Sequence, residues 1–162
     1  LSQVEKLNLE ECINITDESG FKKLKNLITL NLTGCLIEDI SCFSHVKKLN
    51  ITGCDYISDK SHFEKLEAIE KLNVSNTLVH NVDKLSGLKN LTNLNVSGCF
   101  LTDSVCNLSK LTKLKILNIS WCHELTENCG IQHLTNLKKL NMKYCPNIFN
   151  TETFKNIAEI NE

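Results

Sequence analysis

An alternation of apolar and polar positions recurs at regular intervals along the chain. Seven segments place an asparagine between two apolar residues, and six of the seven end in cysteine: VEKLNLEEC, LITLNLTGC, VKKLNITGC, IEKLNVSNT, LTNLNVSGC, LKILNISWC and LKKLNMKYC. The leucine before that asparagine recurs every 19 to 23 residues, at Leu7, Leu30, Leu49, Leu72, Leu94, Leu117 and Leu140. A period of this length predicts a solenoid of stacked repeats.

Each segment predicts a short strand, because the alternation places two apolar side chains on one face and the asparagine on the other. The residues that follow carry apolar side chains at three-residue spacing, as in the run Phe63, Leu66 and Ile69 and in the run Val105, Leu108, Leu111 and Leu114. Such spacing predicts 3₁₀ or short helical turns on the outer side of the core. We therefore expect an α/β solenoid with seven short parallel strands on its concave face and these turns on its convex face.

The repeated pattern L-x-x-L-x-L-x-x-C-x-(x)-I/L resembles the leucine-rich repeat family over essentially the whole chain. Segments such as LSGLKNLTNLNVSGCFLTD resemble the short 22- to 23-residue class of phosphatase-regulating proteins and bacterial internalins, whereas CINITD and CDYISD resemble the cysteine-containing repeats of F-box and trypanosome proteins. The resemblance implies a horseshoe that binds a protein or peptide on its concave face. Two roles follow from it: a regulatory subunit or adaptor, or alternatively a surface adhesin of internalin type.

Cysteine takes the position at which many members of that family carry asparagine. It stands at Cys12, Cys35, Cys54, Cys99, Cys122 and Cys145, and Thr77 takes its place in the fourth repeat. We expect each of these side chains to turn inward and to donate a hydrogen bond to the backbone of a neighbouring repeat. An odd total of nine cysteines, in a chain with a large core of its own, favours free thiols and a reducing compartment.

Three cysteine pairs recur at a spacing of seven residues, and His45, His123 and His133 lie near them in sequence. The pairs are Cys35 and Cys42, Cys99 and Cys106, and Cys122 and Cys129. Structural zinc sites favour ligand pairs two to four residues apart, so we expect no metal site. No cysteine has a sequence context that places a base beside it, and we expect neither an enzyme nor a cofactor nor a small-molecule substrate.

Charge and composition narrow the class of partner. The formal net charge is -1 and all 18 basic residues are lysine, which gives no electrostatic reason to expect nucleic acid as the partner. The chain has no apolar run of membrane-spanning length. Glycosylation sequons begin at Asn31, Asn50, Asn73 and Asn95, where glycans would cover the inner face. We expect a cytoplasmic protein, with a surface or secreted location as the alternative.

Asparagine occupies the centre of every repeated segment and should form a continuous row on the concave face. The row comprises Asn8, Asn31, Asn50, Asn73, Asn95, Asn118 and Asn141. Two interpretations are open: an amide ladder in which each side chain bonds to the next, or a polar strip that binds a peptide.

The last two repeats differ from the others in carrying large aromatic residues. Trp121 and Tyr144 hold equivalent positions in these repeats, so they should be neighbours at the rim of the concave face. Aromatic anchors of this kind dominate protein interfaces. The partner-binding residues predicted from the sequence are Trp121, Tyr144, Lys143, Ile116, Lys139, Asn95, Asn118 and Asn141. The alternative is that the two rings shield the end of the sheet or contact a further repeat.

We expect residues 1–162 to form one repeat domain that is a piece of a larger repeat protein. Leu1 and Val4 match the end of a preceding repeat. Phe154, Ile157 and Ile160 have helical spacing, which indicates either a C-terminal cap or the convex half of a further repeat.

Overall fold

The computed structural model describes residues 3–15, 19–102, 108–126, 130–148 and 151–162, and it shows an open sheet of parallel strands. Each strand pairs with the next one along the chain, in sequence order. The strands are β1 (Lys6–Asn8), β2 (Thr29–Asn31), β3 (Lys48–Asn50), β4 (Lys71–Asn73), β5 (Asn93–Asn95), β6 (Ile116–Asn118), β7 (Lys139–Asn141) and β8 (Glu159–Asn161). The solenoid predicted from the sequence is confirmed.

The eighth strand corrects the sequence-based prediction of seven. In β8, Ile160 pairs with Leu140, and Asn161 pairs with Asn141. The segment IAEIN matches only the first part of the repeated motif, and the spacing of Phe154, Ile157 and Ile160 suggested a helix. In the structure Phe154 ends a 3₁₀ turn while Ile160 lies in the strand, so the three residues do not share one helix.

Every strand pair has the same register, which stacks equivalent residues of successive repeats into rows. Leucine pairs with leucine from β1 to β7, and asparagine pairs with asparagine from β1 to β8. The leucines from Leu30 to Leu140 are at most 3% exposed, whereas the asparagines face solvent at least in part. We call the asparagine side of the sheet the concave face, because its central repeats line a groove.

Short 3₁₀ turns cover the opposite side of the core, as the three-residue spacing predicted. They lie at Ser19–Lys23, Ser41–Phe43, Phe63–Lys65, Val82–Leu85, 108–110, Ile131–His133 and Thr151–Phe154. Phe63, Leu66 and Ile69 are all buried beneath this layer, and Val105 lies outside the described residues. A fully buried side chain of this size stabilises the fold by about 1.5–3 kcal/mol, so stacking the repeats supplies the stability that one repeat lacks.

Five of the seven residues predicted to turn inward and bond to a neighbouring repeat do so. The Cys54 thiol donates to the carbonyl oxygen of Leu32 in the preceding repeat at 3.0 Å, and four other thiols do the same: Cys35 to Leu9, Cys99 to Val74, Cys122 to Val96 and Cys145 to Ile119. Thr77 differs, because its hydroxyl donates to the Val74 carbonyl of its own repeat at 2.7 Å.

The cysteines in the described part of the chain form no disulfide, and Cys106 and Cys129 lie outside it. Burial raises the pKa of Cys54 to about 11, and the same cause raises the pKa values of Cys35, Cys99, Cys122 and Cys145. The ordinary pKa of a cysteine thiol, 9.0, already lies above neutral pH, and the pKa values of these thiols are higher still. The thiols therefore stay protonated at neutral pH and can donate hydrogen bonds.

Candidate functional site

The asparagine row of the concave face is held by the turns that follow the strands. In each of the first seven repeats the asparagine Oδ1 accepts a hydrogen bond from the backbone N–H two residues later, as from Ser75 to Asn73 at 3.1 Å. This local bond is the Asx-turn arrangement, in which the side chain satisfies the backbone of its own turn. The amide-ladder interpretation is therefore wrong, since each oxygen bonds within its own repeat.

Hydroxyl groups add a second bond to three of these oxygens. Thr33 donates to Asn31 Oδ1 at 2.7 Å, Thr52 donates to Asn50 Oδ1 at 2.7 Å, and Ser120 donates to Asn118 Oδ1 at 2.8 Å. The two acceptor sites of each such oxygen are then filled. The Nδ2 group of Asn31 donates to Glu10 Oε2 of the preceding repeat at 3.3 Å.

The central concave face forms a groove of about 530 Å³. The backbone of the leucine row forms its floor, and most of the side chains along it are polar. The lining residues are Thr29, Leu30, Asn31, Lys48, Leu49, Asn50, Lys71, Leu72, Asn73, Asn93, Leu94, Asn95, Ile116 and Asn118. Three of the predicted partner-binding residues, Ile116, Asn95 and Asn118, line this groove. Three other predicted residues lie beyond the end of the groove. Lys139 and Asn141 belong to β7, and Lys143 follows that strand by two residues.

The turn after each strand contains a position that adopts a left-handed backbone in all seven repeats. It holds Glu11, Gly34, Gly53, Asn76, Gly98, Trp121 and Tyr144, whose φ angles range from 54° to 69°. In the first six repeats the backbone N–H of this position donates to the next repeat and so continues the sheet, as from Trp121 to the Lys143 carbonyl at 2.9 Å. Glycine and asparagine tolerate this conformation, whereas a bulky side chain there is a conformational outlier.

Trp121 and Tyr144 stack on each other at these positions. Their ring centroids are 4.0 Å apart with an interplanar angle of 27°, and the residues are 52% and 61% exposed. His123 meets the indole edge to face, with centroids 6.0 Å apart. The sequence-based expectation that the two aromatic residues are neighbours is confirmed, and we call the pair the aromatic edge.

A second pair of exposed rings was missed by the sequence reasoning. Phe100 is 64% exposed and stacks on His80, with centroids 6.3 Å apart. Phe100 follows the buried Cys99 and holds the position equivalent to His123, one repeat earlier. The signal in the sequence was that an apolar residue directly after an inward-turned cysteine must point outward.

Charged groups differ between the centre and the end of the concave face. At the end, Lys139 pairs with Glu159 of β8, with Nζ and Oε2 2.6 Å apart. In the centre, Lys48 and Lys71 lie on neighbouring strands in register, and within the described chain neither has a carboxylate within 4.0 Å. Lys47, one residue before β3, pairs instead with Glu70 at 3.0 Å.

No group of three or more histidine, cysteine or acidic residues in the described ranges is arranged to hold a metal ion. None of the described helices has the length and apolar character needed to span a bilayer.

Comparison with known proteins supports the repeat architecture. Residues 2–45 match a family model for two copies of leucine-rich repeats, and residues 44–61 match a model for a leucine-rich repeat. None of the curated proteins is similar to the chain by sequence.

Several solved structures share the fold. The internalin InlF from Listeria monocytogenes is 24% identical with a TM-score of 0.80, over 98% of this chain and 47% of its own. The leucine-rich repeat domain of the type III effector XopL is 16% identical with a TM-score of 0.73, over 99% of this chain and 69% of its own.

The functional domain of InlJ from Listeria monocytogenes, which includes a cysteine ladder, is 18% identical with a TM-score of 0.64, over 99% of this chain and 39% of its own. The chain thus spans about half of the InlF structure and less of InlJ. The repeated segments, the in-register sheet and the family models over residues 2–61 agree, and the chain has the architecture of a leucine-rich repeat protein.

Proposed function

We propose that this chain is a protein-interaction domain that binds a protein or peptide partner on the concave face and along the aromatic edge. Leucine-rich repeat proteins bind other proteins in general, so the fold supports the class of function but not the partner. The partner-binding residues of the proposal are those predicted from the sequence: Trp121, Tyr144, Lys143, Ile116, Lys139, Asn95, Asn118 and Asn141.

The observation that carries the proposal is the exposed stack of Trp121 on Tyr144. Both residues hold φ angles near 60°, where a side chain other than glycine costs about 1–2 kcal/mol per residue. Three other repeats place glycine at the same position. Residues held in such conformations cluster at binding sites, and neither ring contributes to the buried core.

The surroundings of the stack fit the anatomy of a protein interface. The two rings together with His123 give a continuous aromatic surface, beside which Lys143 supplies a charged rim. Exposed aromatic anchors surrounded by polar groups supply most of the affinity in protein complexes. Ile116, which is 38% exposed, adds an apolar contact on β6.

A domain of this kind would contribute binding to a larger activity, as a regulatory subunit or an adaptor, and we expect it in the cytoplasm. The alternative is a surface or secreted adhesin of internalin type. That alternative is favoured by the structural likeness to InlF and InlJ. Fractionation of the source cells, followed by detection of the native protein, distinguishes the two locations.

Site-specific photo-crosslinking tests the binding surface. A benzoylphenylalanine at position 144 should crosslink a protein partner in source lysate, whereas the same residue at position 65, on a convex 3₁₀ turn, should not. Mass spectrometry identifies the partner, and purified partner should bind Trp121→Ala/Tyr144→Ala at least about tenfold more weakly than the native chain. Equal crosslinking from both positions, or unchanged affinity of the folded double variant, would overturn the proposal.

A further inference from the structure

We infer that the central concave face, over β3 to β5, binds an extended acidic segment of the partner protein. The groups that would hold it are the ammonium groups of Lys48 and Lys71 and the Nδ2 groups of Asn50, Asn73 and Asn95. The inference rests on the proposed function, because it names the chemistry of the partner at the same concave face.

The first observation is that the asparagine row offers donors and few acceptors. Asn50 Oδ1 accepts from both the Thr52 N–H and the Thr52 hydroxyl, at 3.2 and 2.7 Å. Asn73 and Asn95 accept from the N–H groups of Ser75 and Ser97 at 3.1 and 3.0 Å. Each Nδ2 group carries two N–H donors, and none of these three has a hydrogen-bond partner among the described residues.

The orientation of these amides is fixed by the backbone. A turn N–H needs an acceptor, so rotating the amide to present its oxygen to the groove would leave that N–H facing a second donor. The three asparagines are therefore held with their donors toward the groove. A partner must supply oxygen acceptors to match them.

The second observation is the charge of the central face. Lys48 and Lys71 line the groove side by side, while the neighbouring Lys47 is already engaged with Glu70. Among the described residues, none that lines the groove is acidic. The acidic groups of this face lie at its two ends, where Glu10 accepts a hydrogen bond from Asn31 and Glu159 pairs with Lys139.

The spacing of the donors suits an extended chain. Neighbouring strands in a sheet lie about 4.8 Å apart, so a segment that crosses the strands meets a lysine or an amide donor in every repeat. The backbone of Leu49 and Leu72 lies between the lysine and asparagine rows, while the side chains of these leucines are buried in the core. Carboxylates match ammonium and amide donors with charge-assisted hydrogen bonds.

A peptide fits this face better than a nucleic acid does. Single-stranded nucleic acids are held by aromatic side chains on which the bases stack, together with basic groups that contact the backbone. The described residues that line the groove include no aromatic residue, and the chain contains no arginine. The aromatic edge lies after the ends of β6 and β7, outside the groove lining.

Nuclear magnetic resonance on the full chain tests the inference directly. The ¹⁵N-labelled protein is titrated with a twelve-residue alternating Asp-Ser peptide, with the Lys-Ser peptide of the same length, and with an oligodeoxythymidylate of equal negative charge. We expect the side-chain amide signals of Asn50, Asn73 and Asn95 to shift with the acidic peptide and not with the basic one.

Variants separate the central face from general charge effects. Lys48→Gln/Lys71→Gln should weaken binding of the acidic peptide roughly tenfold, because two charged contacts are lost. The matched control Lys65→Gln/Lys84→Gln makes the same charge change on convex turns and should weaken it by less than about twofold. Asn73→Asp retains an acceptor for the Ser75 N–H and should stay folded, yet it should bind the acidic peptide more weakly than the native chain does.

The outcomes are distinct. Absence of shifts at the three asparagines, an equal effect of the two lysine pairs, or tighter binding of the oligodeoxythymidylate at the same residues would overturn the inference. Trp121→Ala/Tyr144→Ala should retain its affinity for the acidic peptide, since neither residue lines the groove. The aromatic double variant therefore tests the partner site at the aromatic edge, and the peptide titration separately tests the acidic segment.

Discussion

The side-chain amide of Asn76 lies over Gly98 of the next repeat, in the space that a Cβ at position 98 would occupy. Both residues adopt positive φ at equivalent turns, and Asn76 leans along the solenoid as Trp121 leans onto Tyr144. At the equivalent Gly53, a Cβ would meet no atom within 4 Å. The two glycines therefore share the same backbone conformation but have different surroundings.

Alanine at these glycines should separate backbone strain from steric overlap. Gly53→Ala should lower the free energy of unfolding by about 1 kcal/mol, because alanine is strained at positive φ. Gly98→Ala should cost about 0.5–1 kcal/mol more, because the Asn76 amide must rotate away. Urea denaturation measures both. In an Asn76→Gly background the extra cost should vanish, and a cost that persists there would contradict this explanation.

At the aromatic edge a glycine substitution should be more stable than an alanine substitution, which reverses the usual order. Trp121→Gly relieves the positive φ, whereas Trp121→Ala keeps the strain, and both lose the stack on Tyr144. We expect Trp121→Gly to be more stable than Trp121→Ala by about 1 kcal/mol in urea denaturation.

The matched control is the strand residue Lys48, which lies in extended backbone on the concave face. There Lys48→Ala should be more stable than Lys48→Gly by about 0.5–1 kcal/mol, the usual order. The same order at both sites would show that position 121 is not strained in solution.

Alkylation of the native protein should discriminate between its cysteines. Cys12 and Cys42 are only partly buried, whereas Cys35, Cys54, Cys99, Cys122 and Cys145 are buried. For Cys54, a pKa of about 11 in place of 9.0 leaves about one hundredth of the thiolate at pH 8, in addition to the loss of access. Mass mapping after iodoacetamide treatment should find Cys42 modified well before Cys54, with equal rates in urea. Equal rates in the native state would contradict the buried arrangement.

Alkaline pH should destabilise the fold through the same thiols. In the unfolded chain Cys54 loses its proton near pH 9, whereas in the folded chain its pKa of about 11 retains the proton. The folded state then binds more protons, so the free energy of unfolding falls as pH rises from about 9 to 11. Cys54→Ser keeps a donor for the Leu32 carbonyl but does not titrate there, and its stability should fall less steeply than that of the native chain over this interval. Parallel pH profiles would contradict the prediction.

The repeated segment predicted most of the fold because its constant residues are the ones that pack in the core. Leu49 and Leu72 are buried and Cys54 donates to Leu32, as the alternation and the small inward side chain required. The strand β8 was missed, since the segment IAEIN matches only the first part of the motif and Ile160 also fits a helical spacing. A residue type that recurs at the same place in seven repeats predicts its structure well, whereas a partial copy of the motif also fits other secondary structures.

The site was harder to predict than the fold. The sequence brought Trp121 and Tyr144 together, but it could not show that they share positive φ with Gly34, Gly53 and Gly98. Nor could it show which way the asparagine amides face, because that depends on the turn N–H two residues later. The sequence also could not show which lysines are available to a partner. In the structure Lys47 and Lys139 are paired with acidic residues, whereas, among the described residues, Lys48 and Lys71 are not.

The left-handed turn position has a consequence for engineering. In the first six repeats its backbone N–H bonds to the next repeat whether the residue is glutamate, glycine, asparagine or tryptophan. The residue chosen there therefore changes stability through the strain of positive φ and not through the hydrogen bonds of the sheet. The register of the sheet is the same throughout, and an aromatic pair could therefore be transplanted from positions 121 and 144 to positions 34 and 53. A binding element at this turn position can thus be moved along the solenoid by whole repeats without redesigning the core.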